Sequence, residues 1–142
     1  MVIPCLNEAE TIGECVRRSF AALERSELTG EVIVVDNGSD DGSGALAAEA
    51  GATVVVEPER GYGNAYLAGF AAARGDYIVM IDADLTYDFD EIPAFVGELD
   101  RGAQFVMGNR MGGHNLACPH GTGQRARRHL ACFKPCLKFC FF

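Results

Sequence analysis

A chain of 142 residues, 49% apolar and 23% charged, has the size and composition of one globular domain with a real core. No apolar run approaches the ~20 residues that cross a bilayer, and no charged-then-apolar leader precedes a cleavage site, so a cytoplasmic domain is expected. The net charge of −8 hides an asymmetry: residues 1–110 hold all 20 acids and 7 of the bases, whereas residues 111–142 hold 5 bases and no acid. A body this acidic gives no reason to expect nucleic acid as a partner. The tail also holds all three histidines and four of the six cysteines, so the chain is divided into 1–110 and 111–142.

Val2-Ile3 is an apolar stub cut short by Pro4, a first strand that looks clipped at Met1. Asn7-Glu8-Ala9-Glu10 reads as a helix start with Asn7 as cap and Glu10 reaching back, and Ile12, Val16, Phe20 and Leu23 form one apolar face behind it. The helix dipole alone also accounts for Glu8 and Glu10. Residues 31–35 form a second buried strand that runs into Asp36-Asn37-Gly38-Ser39-Asp40-Asp41-Gly42-Ser43. A carboxylate at such a strand end can accept from ribose hydroxyls or a base N–H, although these residue types also make ordinary turns. A short helix over 44–50 stops at Gly51, and 52–56 is a third strand. Arg60-Gly61-Tyr62-Gly63-Asn64-Ala65 then opens a helix over 64–73. Its glycines let backbone approach an anionic ligand at a helix start. The third glycine of a dinucleotide fingerprint is missing, which excludes a Rossmann dehydrogenase.

Residues 77–81 are a continuous apolar run, read as a strand buried on both faces and ending in Asp82-Ala83-Asp84. In an extended chain the two acids share a side, with Cα atoms roughly 6 to 7 Å apart, at the edge where α/β sheets bind ligands. Such hard oxygen ligands suit Mg²⁺ or Mn²⁺ bridging to a substrate phosphate; a solvated acidic loop is the plainer alternative. Asp90 is expected to cap a helix with Pro93 in its first turn and Ile92, Phe95, Val96 and Leu99 as its buried face. Residues 105–107 make a last strand, after which Arg110 is placed to meet phosphate. Five short strands alternating with four helices predict an α/β fold, a mostly parallel, Rossmann-like sheet between helix layers.

Four blocks now carry a resemblance: Ile3-Pro4-Cys5-Leu6-Asn7-Glu8, Val34-Val35-Asp36 through Ser43, Gly61-Tyr62-Gly63-Asn64-Ala65, and Gly75-Asp76-Tyr77 through Asp84. In order and spacing residues 2–110 resemble the family 2 glycosyltransferases of GT-A fold, in particular the branch of dolichyl- and polyprenyl-phosphate sugar synthases. The resemblance implies that Pro4, Leu6, Glu8 and Asp36, with Val34 and Gly63 in the same blocks, bind a nucleoside-diphosphate sugar. It implies that Asp82, Ala83 and Asp84 are the family's Asp-x-Asp, that Asp82 and Asp84 serve an Mg²⁺ or Mn²⁺ ion with Asp84 nearest it, and that Arg110 joins the donor site. The implied enzyme transfers the sugar with inversion to an oxygen acceptor such as polyprenyl phosphate, at the inner face of the membrane. Thr86 stands where lipid-phosphate synthases often carry Gln, which leaves the acceptor open, and no general base is assignable. A donor-binding module without efficient turnover is the alternative. A nucleotidyltransferase ranks third, because Pro4-Cys5-Leu6-Asn7-Glu8 contains no base.

Residues 111–142 depart from that family. Cys118, His120, His129, Cys132, Cys136 and Cys140 include soft metal ligands, but no Cys-x₂-Cys pair is present and Pro135 interrupts the four-residue cysteine spacing. Phe133, Leu137, Phe139, Phe141 and Phe142 with Lys134 and Lys138 could touch a membrane. The preferred reading is a shifted frame: back-translating residues 114–122 one frame over permits Gln-Pro-Gly-Leu-Pro-Pro-Trp-His-Arg, similar to the segment that follows in the family. The matched strands alone are then expected to leave an apolar sheet edge unpaired.

Overall fold

A computed structural model describes residues 1–108 and 138–141. Its elements are β1 (Val2–Cys5), α1 (Ile12–Arg25), β2 (Ile33–Asp36), α2 (Ser43–Glu49), β3 (Thr53–Val56), α3 (Tyr62–Ala72), β4 (Tyr77–Met80), α4 (Ile92–Asp100, after a single 3₁₀ turn at Phe89–Glu91), β5 (Phe105–Met107) and β6 (Lys138–Phe141). The strands lie in the order β3-β2-β1-β4-β6-β5, and each described pairing is parallel. The α/β architecture predicted from the strand and helix alternation is therefore the one found.

The apolar runs read as strands because alternate residues must be buried on opposite faces. Ile3, Cys5 and Val34 pack with α1, α2 and α4 on one side, whereas Val2, Ile33 and Val35 pack with α3 on the other. Helix α3 comes unusually close to the sheet: a Cβ at Gly69 would lie 2.3 Å from Val2 Cγ1 and 3.0 Å from Val35 Cγ2. Of the predicted apolar faces, Ile12, Val16 and Leu23 on α1 and Ile92, Phe95, Val96 and Leu99 on α4 are buried, while Phe20 is half-buried against the same core.

Three local expectations are corrected. Asn7 does not cap α1: the helix starts at Ile12 behind Thr11, while Asn7 adopts φ +58° and accepts from the Asp40 N–H at 3.0 Å. A tertiary partner on the next loop has replaced the local cap. Asp90 does not cap α4 either, because Asp88 accepts from the Asp90 N–H at 2.9 Å and starts the 3₁₀ turn that leads into the helix. The third concerns the sheet. Five strands were expected, with an edge left bare, but Lys138–Phe141 forms a sixth strand that pairs Tyr77–Met80 on one side and Phe105–Met107 on the other. Cys140 is wholly buried in the main core there. Burial pushes its thiol up to about 12, which argues against its acting as a thiolate ligand. The remaining residues of the cysteine and histidine reading, from Cys118 to Cys136, lie outside the described residues.

Ser19 on α1 is fully buried and, among the described residues, its hydroxyl has no hydrogen-bond partner. Removing a buried hydroxyl that makes no bond relieves a desolvation cost of about 1 kcal/mol. Ser19→Ala is therefore expected to raise the melting temperature by a few degrees, and a lower one in calorimetry would show that the hydroxyl has a partner in solution.

Candidate functional site

The loops after β1, β2, β3 and β4 meet at one edge of the sheet, and hydrogen bonds lace the first two together. Ser39 Oγ accepts from the Asn7 N–H at 3.0 Å, Ser43 Oγ from the Glu8 N–H at 2.9 Å and Asp41 Oδ2 from the Ala9 N–H at 2.9 Å. The Ser43 hydroxyl, donating to Asp41, holds that carboxyl below its usual range. The Asp-Asp-Gly-Ser run read as turn chemistry is thus also the clasp between two loops.

Asp36, the last residue of β2, accepts from the Ser39 N–H at 2.9 Å. A Cβ on Gly44 would come within 2.7 Å of its Oδ2, so glycine there makes room for the carboxylate. Beside it Asn37 is buried and ties its own loop to the one after β3: its Nδ2 donates to the Glu57 and Glu59 carbonyls at 2.8 and 2.9 Å, and its Oδ1 accepts from the Gly61 N–H at 2.7 Å. Arg60 donates to the Gly38 carbonyl at 3.1 Å. At Gly63 an added Cβ would meet nothing within 4 Å, so the chain's own packing leaves this position open.

Strand β4 ends at Met80, earlier than expected, and Ala83 and Asp84 lie in a turn. The spacing derived from an extended chain is therefore not what arranges the acids. Alternation survives in burial: Ile81 and Ala83 are buried, Asp82 is half-buried and Asp84 is exposed. Asp84 Oδ1 accepts from the Thr86 N–H at 3.0 Å and its hydroxyl at 2.7 Å, and Leu85 takes φ +61° to complete the turn. The Ala83 carbonyl accepts from the Cys15 thiol on α1 at 3.2 Å, and burial pushes that thiol up to about 11. Asp82 Oδ1 accepts from Tyr62 at 2.7 Å, and its Oδ2 accepts from Tyr87 at 2.9 Å.

Of the residues singled out from sequence, Asp36, Asp82, Ala83 and Asp84 lie on the loops and strand ends of this edge, and Gly63 lies in the first turn of α3. Pro4 is half-buried on β1, Leu6 is 43% exposed just beyond it, and the Glu8 carboxylate accepts from the Thr11 hydroxyl at 3.1 Å. Val34 is wholly buried in the core; its side chain supports the strand that carries Asp36 rather than facing the edge. Arg110 lies outside the described residues. Sequence reasoning missed Asn37 and the three tyrosines. The four-residue spacing of Tyr62 and Tyr66 places them on one helix face, but nothing in the sequence aims that face at Asp82.

A groove of about 520 Å³ opens along Thr86–Asp90, lined also by Arg18 and Arg25 of α1. Arg18 is paired with Glu14 and Arg25 with Asp90, so the groove offers an anion little uncompensated charge.

The model of glycosyl transferase family 2 matches residues 1–116. The chain belongs to this family. It is 47% identical over 118 residues to the low-salt glycan biosynthesis hexosyltransferase Agl6 of Haloferax volcanii, covering 82% of this chain and 28% of that protein. It is 42% identical over 113 residues to an undecaprenyl-phosphate 4-deoxy-4-formamido-L-arabinose transferase of Enterobacter, covering 75% and 35%. Among solved structures, glucosyl-3-phosphoglycerate synthase of Mycobacterium tuberculosis in complex with Mn²⁺, UDP-glucose and phosphoglyceric acid superposes with a TM-score of 0.65 at 32% identity, covering 78% of this chain and 43% of that one. The family, its polyprenyl-phosphate branch and the GT-A fold expected from the four blocks are thus found. The chain spans only about a third of the length of these two curated relatives.

The glycosyltransferase edge is chemically suited to a divalent ion. Asp84 is exposed, and Asp36, Asp40, Asp41 and Asp82 lie on the same carboxyl edge of the sheet, whose negative charge disfavours a diphosphate unless a cation accompanies it. Among the described residues no three His, Cys, Asp or Glu side chains close a metal site by themselves. Among the same residues no helix is long and apolar enough to cross a membrane.

Proposed function

We propose that this domain binds a nucleoside-diphosphate sugar with Mg²⁺ or Mn²⁺ at the carboxyl edge of its sheet and forms the donor half of an inverting sugar transfer. What carries the reading is the meeting of Asp36 and the Asp82-Ala83-Asp84 loop on that edge, in a chain whose relatives transfer sugars. Asp36 accepts from the nucleoside, where Gly44 leaves its carboxylate room. Pro4, Leu6 and Glu8 line the nucleoside side, Gly63 admits the backbone close to the donor, and Arg110 contributes charge toward the diphosphate. Asp84, with Asp82 beside it, holds the ion, whose charge stabilises the leaving diphosphate.

The acceptor is proposed to be a lipid phosphate at the membrane face, by likeness to the undecaprenyl-phosphate transferase. A phosphate acceptor is already ionised and needs no general base.

Titration calorimetry with UDP and GDP tests the site. Binding is expected to be at least tenfold tighter with Mn²⁺ than with chelator, about 1.4 kcal/mol, and Asp84→Asn should abolish that difference. Asp36→Ala should weaken binding by about 1 to 3 kcal/mol while the metal dependence survives. Equal affinity with and without metal would remove the ion from the donor site, and full affinity in the Asp36 variant would reduce that residue to a turn former.

A further inference from the structure

Asp82 is held by hydroxyl groups from two directions. Tyr62, in the first turn of α3, donates to Oδ1 at 2.7 Å, and Tyr87, in the loop beyond Asp84, donates to Oδ2 at 2.9 Å. Tyr66 sits 3.5 Å from the same Oδ1 and 3.5 Å from the Tyr62 hydroxyl. The rings behind these hydroxyls are themselves fixed. Tyr62 meets Tyr66 edge-on at 4.9 Å between centroids, and Tyr66 packs on Phe70 at 5.6 Å, a ladder along one face of α3. A carboxylate has about four acceptor sites, so two short bonds and one long contact orient both oxygens and leave room for one more donor.

We infer that Tyr62 and Tyr87, backed by Tyr66, are positioning residues that set the Asp82 carboxylate in its donor-binding orientation before the donor arrives. The inference rests on the donor-site reading above. Two observations separate it from ordinary packing. Tyr62 is 55% exposed, so its ring is not needed to fill the core, yet its hydroxyl makes the shortest of the three contacts. The orienting groups are also neutral. An arginine in their place would fix Asp82 equally well but cancel its charge, whereas phenols orient it and leave that charge to the cation and the donor. Holding a flexible acid in one rotamer ahead of binding removes an ordering cost from the binding step.

The test is calorimetric titration with UDP-glucose and, in parallel, GDP-mannose in the presence of Mn²⁺, on Tyr62→Phe, Tyr66→Phe, Tyr87→Phe and the Tyr62→Phe/Tyr87→Phe pair. Each change removes one oxygen and keeps the ring. The pair is expected to weaken binding roughly fivefold to tenfold with an unchanged melting temperature, and Tyr66→Phe to weaken it less than either Tyr62→Phe or Tyr87→Phe because its contact is long. The same pair placed in Asp82→Ala should cause no further loss, since residues that act through Asp82 have nothing left to position. Wild-type affinity in the pair, a full loss that persists without Asp82, or a lowered melting temperature at unchanged affinity would each overturn the inference. If the wild-type protein binds neither nucleotide sugar with Mn²⁺, the donor-site reading itself fails and takes the inference with it.

Discussion

Asn37→Asp is expected to destabilise the domain by about 3 kcal/mol or more, a large share of the about 5 to 15 kcal/mol that holds such a domain folded. Asn37 is 4% exposed, and its amide nitrogen faces two carbonyl oxygens at 2.8 and 2.9 Å. The substitution keeps the size of the side chain and the Oδ1 acceptor for the Gly61 N–H, but it turns a two-proton donor into an oxygen facing two others. A buried carboxylate with one oxygen set against two carbonyl oxygens is among the costliest single changes available. Asn37→Ala, which leaves two carbonyls and one N–H to find water, should cost less, about 2 kcal/mol. Because Asn37 fixes the start of α3, which carries Tyr62 and Gly63, nucleotide binding should weaken along with stability. Chemical denaturation of the wild type and the two variants gives the order, and an Asn37→Asp variant as stable as wild type would mean that the amide does not face those carbonyls.

Deleting residues 138–142 should have an effect as large or larger. Strand β6 pairs four residues of β4 and three of β5, so its loss strips one whole side of β4 and separates β5 from the sheet. The buried Cys140 leaves a gap in the main core, between elements that include Ile81, Val96 and Leu99. Unpaired strand backbone and newly exposed apolar surface favour association between copies. Loss of a cooperative melt and aggregation are expected, measured by circular dichroism and light scattering. A shortened protein that stays monomeric and melts within a few degrees of the full chain would show that β6 is dispensable and that β5 can pair β4 directly.

These two predictions also mark where sequence reasoning reached and where it stopped. The apolar runs and the helical periodicity of 12–23 and 92–99 were sufficient for the α/β class and the buried faces, because burial on a sheet or a helix imposes a local period of 2 or 3.6. The acids at the ends of β2 and β4 were legible for the same reason: a strand's end is marked where its apolar run stops, and in a parallel sheet these ends share one edge. The motif blocks were enough for the family. Contacts between segments far apart in the chain were not legible. Asn7 has the composition of a helix cap but binds Asp40, 33 residues away, and Asn37 looks like a turn residue while joining Glu57, Glu59 and Gly61. Local propensity assigns such residues to the nearest backbone, whereas the folded chain offers a better-placed donor or acceptor on another loop. Lys138–Phe141 entered the sheet for a related reason. A four-residue stretch that begins with a lysine, in a basic, cysteine-rich tail, carries too weak a local signal to announce a strand, and the open sides of β4 and β5, created by the rest of the fold, give it its partners. Asp82 shows the same division within one residue: its place after β4 is local, but the tyrosines that hold it come from α3 and from the loop beyond Asp84, and only tertiary packing brings three hydroxyls to one carboxylate.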